Sequence, residues 1–362
     1  MNTYIDTALS AIVDEELNGA VKADLIKHYN EPWRHFHTME HINDMFTLLD
    51  KEYVTELDKR DLMKIRLAIL FHDVIYLPWA DDNEIHSAYY FLESFKVYTG
   101  NATIEDPLTL TEAYEIRDAI MNSKWDSSTP PKQWQRYFIE IDRAVLANPS
   151  IDHILGYEKK IYKEFQFVPH DVYKTNRTNF LLSAIKFYDY DHLSVLLPKT
   201  HNSPGTVKIG MYCGSFDPFH KGHFNILEQA EKVFDKVVIV VTSNLKTNEE
   251  MLARMEFIFK SAPGREIIYH SGPVSDLIKQ RTEDVTIIKG FRNGNDIENA
   301  TDEQDIKIVY FKCDNELSNL TSDAVKELLK TSKESPSTYF TCDRKVPITE
   351  ILKEQWKKSL TI

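Results

Sequence analysis

The sequence predicts two domains, an all-helical one followed by an α/β one built on a parallel sheet. Three observations carry this expectation. Residues 3 to 195 show apolar spacing of helical period with almost no strand pattern. Beyond residue 206, short β-rich runs alternate with helical ones, the pattern of βαβ units. A chain of 362 residues also exceeds what one hydrophobic core usually spans.

In the first half the helical pattern recurs over Ile5–Leu17, Ala20–Tyr29, Met39–Leu49, Leu62–Ile75, Ile85–Phe95, Leu110–Met121, Trp134–Leu146, Ile151–Phe167 and Asp171–Phe187. Pro32, Pro78, Pro107, the Ser127–Pro131 loop and Pro149 break the runs, as residues that cannot continue a helix should. The helical domain is expected over 1–197, a linker over 198–206 around His201-Asn202-Ser203-Pro204-Gly205, and the α/β domain over 207–362. There, strands are expected at Lys208–Tyr212, Val237–Thr242, Glu266–Tyr269, Val285–Lys289 and Ile308–Lys312. Helices are expected at His223–Phe234, Glu249–Lys260, Val274–Arg281, Thr321–Lys330 and Ile348–Lys357.

The formal net charge of −13 argues against broad binding to nucleic acid or anionic membranes, which reward basic surfaces. Small phosphorylated ligands need only a local cluster of cations. The longest apolar runs, such as Val237–Val241, fall far short of the ~20 residues of a membrane span. The start of the chain lacks the pattern of a signal peptide, and Cys213, Cys313 and Cys342 are too widely spaced for a disulfide framework or a zinc knot. A reducing, cytoplasmic setting is expected.

Chemistry in the second half centres on Gly214-Ser215-Phe216-Asp217-Pro218-Phe219-His220-Lys221-Gly222-His223, between a predicted strand and a predicted helix. A helix start offers unpaired N–H groups and a positive dipole end to a phosphate, and the glycines permit close approach. His220 and His223 would share one face there. Lys246, Lys289 and Arg292 each follow or end a predicted strand, so a parallel sheet would carry them to the same edge. Surface lysines are usually just solvated charges; their placement only at strand ends is what singles these out.

This half resembles the phosphopantetheine adenylyltransferase group of nucleotidyltransferases. The resemblance rests on the stretch just quoted, on Lys289-Gly290-Phe291-Arg292, and on Leu320-Thr321-Ser322-Asp323-Ala324-Val325-Lys326. It implies a Rossmann-like fold and transfer of an adenylyl group from ATP, with Mg2+, to a phosphorylated acceptor, 4'-phosphopantetheine being favoured. It also implies that His223, His220, Lys246 and Arg292 are catalytic. Gly214, Ser215, Phe216, Lys289, Gly290, Thr321 and Ser322 would bind ATP or acceptor. The segment between Arg292 and Ile308 is shorter than the family pattern by roughly eight residues, which leaves nicotinamide mononucleotide or another phosphate acceptor open.

In the first half, His37-Thr38-Met39-Glu40-His41, His72-Asp73 and Asp142 stand out. Thr38 has the character of an N-cap, putting His41 in a first helical turn. Asp142 lies in a largely apolar helix, where an isolated carboxylate would be costly. Taken singly, each histidine is more simply a capping or carbonyl-bonding residue. Together, two imidazoles and two carboxylates suit a divalent cation.

This half resembles the HD-domain metal-dependent phosphohydrolases, in particular an uncharacterised branch. The branch is matched by Tyr29-Asn30-Glu31-Pro32-Trp33-Arg34-His35-Phe36-His37-Thr38, by Phe71–Tyr76 and by Asn83–Ala88. The resemblance implies His41, His72, Asp73 and Asp142 as ligands of Mg2+ or a divalent transition metal, with His37 and Glu84 as further hydrolase-site residues. Asp126 stands where the branch tends to carry a histidine.

The expectation is a bifunctional enzyme whose helical half hydrolyses a phosphoester of a nucleotide or related metabolite with a divalent metal. Its partners are a nucleotide and a phosphorylated acceptor, with no nucleic acid or membrane, and it self-associates as a homo-oligomer. The alternative is a nucleotidyltransferase of the nicotinamide-mononucleotide type carrying a non-catalytic, nucleotide-binding HD module.

Overall fold

The structure, a computed structural model, describes residues 2–10, 15–99, 107–124, 132–197, 207–242, 245, 247–281, 283–291, 306–331 and 346–359. The chain folds into two compact units, one of Met1–Glu164 with Tyr188–Leu193 and a second of Phe165–Phe187 with Ser194–Ile362.

The first unit is helical: α1 (Asn2–Leu9), α2 (Glu15–Tyr29), α3 (Met39–Leu48), α4 (Lys59–Phe71), α5 (Asn83–Thr99), α6 (Leu110–Met121), α7 (Gln133–Ala147) and α8 (Ile151–Glu164). Side-chain caps set several starts, because the first N–H groups of a helix have no partner of their own. Thr38 accepts from Glu40 N ahead of α3, Asp58 from Asp61 N ahead of α4, and Thr109 forms a capping box with Glu112 ahead of α6. Helix α4 is the central one, with Leu67, Ala68, Ile69, Leu70 and Phe71 all fully buried. These last five residues, apolar on every side, sit inside the bundle and not on its surface.

Several predicted helices have different limits. The run expected over Ile5–Leu17 ends at Leu9, and residues 15–17 open α2 instead. The helix expected to reach Ile75 stops at Phe71, and His72-Asp73 form the turn that follows. There, Trp33 takes the carbonyl of Tyr76 and Arg34 those of Asp73 and Val74, so the turn's backbone is bonded to other elements.

The second unit contains α9 (His170–Tyr188, grouped here through Phe187) and then β1 (Lys208–Gly214), α10 (Lys221–Ala230), β2 (Lys236–Val241), α11 (Asn248–Ser261), β3 (Glu266–Tyr269), α12 (Val274–Lys279), β4 (Asp284–Phe291), β5 (Ile308–Lys312), α13 (Ser322–Thr331) and α14 (Glu350–Ser359). The five strands are parallel in the order β3-β2-β1-β4-β5. Strand β2, Lys-Val-Val-Ile-Val-Val, is buried along its whole length, as a strand covered on both faces should be. One face packs Ile209, Met211, Val238, Val240, Val285 and Ile287 together with Leu277 of α12.

Residues 165–187, expected in the helical domain, group with the sheet unit. The reason lies at Lys236. Its ammonium is buried, sits 2.8 Å from Glu266, and donates at 2.6 Å to the carbonyls of Gln166 and of Val168. Gln355 of α14 donates to the Phe167 carbonyl at 2.7 Å. The expected linker, 198–206, lies outside the described residues. Among those described, no helix is long and apolar enough to cross a membrane.

Candidate functional sites

In the sheet unit the strand order reverses between β1 and β4, both starting from the middle of the sheet in opposite directions. Loops leave such a switch point on opposite faces and open a crevice at the carboxyl ends. A cavity of about 310 Å3 lies there, lined by Tyr212–Gly214, Phe216, His220, His223, Gly290 and Thr321-Ser322 among others. Two helix starts bound it, those of α10 and α13.

The two histidines close a reciprocal cap on α10. His220 Nδ1 accepts from Gly222 N, and His223 Nδ1 accepts from His220 N, each at 3.2 Å. An Nδ1 that accepts carries no proton, so each neutral ring carries its N–H at Nε2. The rings stack with centroids 3.8 Å apart. Phe216 holds a left-handed backbone, φ 47°, that only tight packing sustains in a bulky residue. Its buried ring touches Tyr212, Phe219 and His223. Gly290 lies so close to α10 that a Cβ there would meet Ile226 Cγ1 at 3.0 Å.

Of the residues singled out in sequence, His220, His223, Gly214, Phe216, Gly290, Thr321 and Ser322 line this cavity. Thr321 Oγ1 accepts from Ala324 N at 3.0 Å and so starts α13. Ser215 is exposed beside the cavity and does not line it. Strand alternation puts Lys289 with Val285 and Ile287, on the face opposite Gly290. Lys246 and Arg292 lie outside the described residues. Sequence reasoning overlooked the clamp on Asp217, whose carboxylate pairs with Arg254 at 3.0 Å and Lys326 at 2.7 Å. Arg254 also donates to the Ser215 carbonyl at 3.1 Å. These cations are far from Asp217 in sequence, so only the fold brings them together.

In the helical unit, the quoted motifs act as a scaffold around the His72-Asp73 turn. Tyr29 Oη donates to the Leu70 carbonyl and Trp33 Nε1 to that of Tyr76, both at 2.8 Å. The buried Arg34 guanidinium donates to the carbonyls of Asp73, Val74 and His37 at 2.7, 3.1 and 3.1 Å. From the other side, Asn83 brackets Leu77 through its amide at 2.9 Å each way, and Ser87 brackets Ile75. A turn with its backbone groups satisfied from both sides holds its side chains in fixed positions.

Those side chains meet at one point. The ligand-capable atoms of His41, His72 and Asp73 all lie within 4.8 Å of one another. Asp142 Oδ1, from α7, is 3.2 Å from His41 Nε2 and 3.4 Å from His72 Nε2. His72 Nδ1 faces the Ile69 carbonyl at 2.9 Å and must donate to it, which leaves Nε2 as a bare lone pair in the neutral ring. That buried Nε2 makes no well-formed hydrogen bond, although Asp73 Oδ2 is only 3.0 Å away. Burial pushes the His72 imidazole down, yet Asp73 and Asp142 hold it well above its usual value. Both carboxyls are lowered despite their own burial, chiefly by the histidines. A pocket that favours positive charge this strongly, with an orphaned imidazole nitrogen, fits a divalent cation held by nitrogen and oxygen donors.

A further residue, which the sequence did not single out, is Glu164 at the end of α8. It is completely buried and its Oε1 accepts from the backbone N–H groups of His35, Phe36 and His37 at 2.7, 2.7 and 3.0 Å. Oε2 takes His37 Nδ1 at 2.6 Å and Tyr76 Oη at 2.8 Å. Burial opposes the charge, but these partners lower the carboxyl to about 2. His37 is thereby oriented with Nε2 away from Glu164, and its ring stacks on Tyr76. Glu84 is half-buried in the first turn of α5, its carboxyl raised by burial and further by the Asp73 charge. Asp126 lies outside the described residues. Beside His41 and Asp142 opens a groove of about 1120 Å3 bounded by α3, α7 and α8.

The parallel sheet with its switch-point cavity and two helix starts defines the second unit as a Rossmann-like nucleotidyltransferase domain. The profile of the cytidylyltransferase-like family matches residues 211–337. A phosphopantetheine adenylyltransferase from Mycoplasma capricolum is 34% identical over 135 residues, which are 34% of this chain and 96% of that protein. Those from Porphyromonas gingivalis and Clostridium botulinum are 30% and 31% identical, over 90% and 86% of their lengths and 35% and 34% of this chain. A solved structure from Vibrio parahaemolyticus, provisionally named a nicotinate-nucleotide adenylyltransferase, aligns over 41% of this chain and 98% of its own, with 16% identity and TM-score 0.30. Through its α/β unit the chain belongs to the cytidylyltransferase-like family, as a relative of the phosphopantetheine adenylyltransferases.

Proposed function

We propose that the α/β unit transfers an adenylyl group from ATP to a phosphorylated acceptor, with 4'-phosphopantetheine the first acceptor to test. The observation that carries this is the pair of histidines lining the switch-point cavity, whose Nδ1 atoms cap α10 and whose remaining ring donors are both Nε2–H. The named relatives, matched over nearly their whole length, support the same reading. An acceptor phosphate oxygen attacks the α-phosphorus of ATP in line. The new P–O bond forms as the bond to the β-phosphate oxygen breaks, and pyrophosphate leaves with that electron pair. His223 donates to the oxygens of the crowded phosphorus, and His220 and the starts of α10 and α13 hold the triphosphate. Lys246 and Arg292 are assigned to the acceptor phosphate and the developing charge. Mg2+ bound with the nucleotide supplies charge neutralisation along the triphosphate.

The test is pyrophosphate release from ATP and Mg2+ with 4'-phosphopantetheine, nicotinamide mononucleotide or nicotinate mononucleotide supplied in turn. Release with a mononucleotide alone would move the acceptor assignment to the alternative, and release with none would overturn the transferase reading.

A second observation favours a second activity. The His41, His72, Asp73 and Asp142 cluster supports a metal-dependent phosphohydrolase of the HD type in the helical unit. A bound divalent ion would lower the pKa of a coordinated water and polarise a phosphoryl oxygen. The chain's own part is to hold the donors fixed through Arg34, Tyr29 and Asn83, and to place His37 and Glu84 beside them. Metal analysis of purified protein, with Asp73→Ala as control, is the check. A preparation that binds no divalent metal and releases no phosphate from p-nitrophenyl phosphate would leave a non-catalytic module.

A further inference from the structure

The groove of about 1120 Å3 against the His41–Asp142 edge is rich in carboxylates. Six carboxylates line it, those of Glu40, Asp44, Glu52, Glu140, Asp142 and Asp152. Its two lysines are already engaged, Lys160 with Glu40 at 2.6 Å and Lys51 with Glu52 at 2.9 Å. Asp44, Glu140, Asp142 and Asp152 have no lysine or arginine partner among the described residues. The groove is also aromatic, with Phe36, Tyr53, Tyr157 and Tyr190 half-buried along it and Phe36 packed edge-on to Tyr157 at 4.7 Å. At its inner edge it reaches Asp142, 3.4 Å from the buried Nε2 of His72, which makes no well-formed hydrogen bond.

A site for nucleoside triphosphates would bring arginines and lysines to the phosphate chain. Here the cations are neutralised and the surplus is negative, so each phosphate beyond the one held at the His72 cluster would meet repulsion. Carboxylates beside aromatic faces are instead the surroundings that attract an organic cation. Resting on the metal-dependent hydrolase reading, we infer that the helical unit takes phosphate monoesters bearing a cationic organic group, and that it excludes polyphosphates. The phosphate would lie at the His41/His72/Asp73/Asp142 cluster and the cation in the groove between α3 and α8.

The experiment uses the full-length protein loaded with Mn2+, with p-nitrophenyl phosphate, phosphocholine, AMP and ATP as probes and no acceptor for the α/β unit. AMP and ATP share a base, so their ratio reads phosphate number alone. The expectation is phosphate release from phosphocholine at about tenfold higher kcat/KM than from ATP, with AMP between them. Raising the salt should shrink that ratio, because exposed charges are screened. Neutralising the rim with Asp44→Asn and Asp152→Asn together should lower kcat/KM for phosphocholine about fivefold and leave p-nitrophenyl phosphate nearly unchanged. Hydrogen exchange gives a readout independent of turnover: phosphocholine should protect residues 36–53 and 140–160, and ATP should not. ATP hydrolysed as well as phosphocholine, or protecting those segments equally, would overturn the substrate class while leaving the hydrolase standing. Protection by phosphocholine without any phosphate release would keep the binding specificity and remove the hydrolase reading. Neither turnover nor protection with any probe would overturn both.

Discussion

At His223 structure and chemistry fall on different nitrogens of one ring. Nδ1 accepts the His220 N–H and helps start α10, while Nε2–H is the atom proposed to meet a phosphoryl oxygen. Asparagine can keep the first role through its side-chain oxygen but cannot extend a donor to the position of Nε2. His223→Asn is therefore expected to leave the melting temperature nearly unchanged while pyrophosphate release falls about 100- to 1000-fold, the usual loss for one transition-state donor. An equal loss of stability and activity would mean the ring serves only the helix. Glu164 shows the opposite emphasis. Its folded carboxyl lies near 2, below the ordinary carboxylate value, so its stabilisation is present above about pH 4 and is lost as pH falls toward about 2. Glu164→Gln should cost about 3–5 kcal/mol at neutral pH and flatten this acid limb in urea titrations. The histidines were legible because their spacing within one turn is itself the signal. Glu164 was not, since its partners lie on residues 35–37 and 76 and nothing local to Lys163-Glu164-Phe165 announces them.

At the scale of elements, the sheet places α10 through contacts with little slack. Gly290, next to last in β4, lies against Ile226, so Gly290→Ala would force Ile226 of α10 to yield by a few tenths of an ångström. That helix carries both histidines, and a small displacement at its start misaligns both Nε2 donors. Gly290→Ala should thus lower kcat for pyrophosphate release more than tenfold while destabilising the fold by only about 1–3 kcal/mol, measured by thermal melting. Element positions were largely legible, because an all-buried parallel strand such as Val237–Val241 and the 3.6-residue rhythm of the helices are strong local patterns. What escaped was set by partners elsewhere. Beyond the end of α4 at Phe71, the turn is held by Trp33 and Arg34, which take the carbonyls of Tyr76, Asp73 and Val74. Residues 165–187 join the sheet unit because Lys236 draws two of their carbonyls, a bond spanning some 70 residues of sequence. Lys289 falls on the face opposite Gly290 because strand alternation, not proximity in sequence, decides which way it points.

For the whole molecule, the two candidate sites draw on separate sets of residues and separate cores. The metal-type cluster is assembled from α3, α4 and α7, held by side chains of residues 29–34 and 83–87, and packs on the core that includes Ile42, Leu67 and Phe138. The histidine cap and its cavity come from β1, α10, β4 and α13, on a sheet whose core includes Ile209, Val238 and Ile287. No side chain described for one site belongs to the other unit. Two preorganised sites with no shared residue should lose function independently, because substitutions without common partners usually act additively. Asp73→Ala is accordingly expected to abolish divalent-metal retention and phosphate release while pyrophosphate release stays within about twofold of the unaltered protein. His223→Asn should do the reverse, and the double variant should show the product of the two effects. Parallel assays of pyrophosphate and phosphate on the same four preparations decide it: a cross-effect beyond about 2.3-fold, the ~0.5 kcal/mol limit of ordinary additivity, would establish coupling between the units.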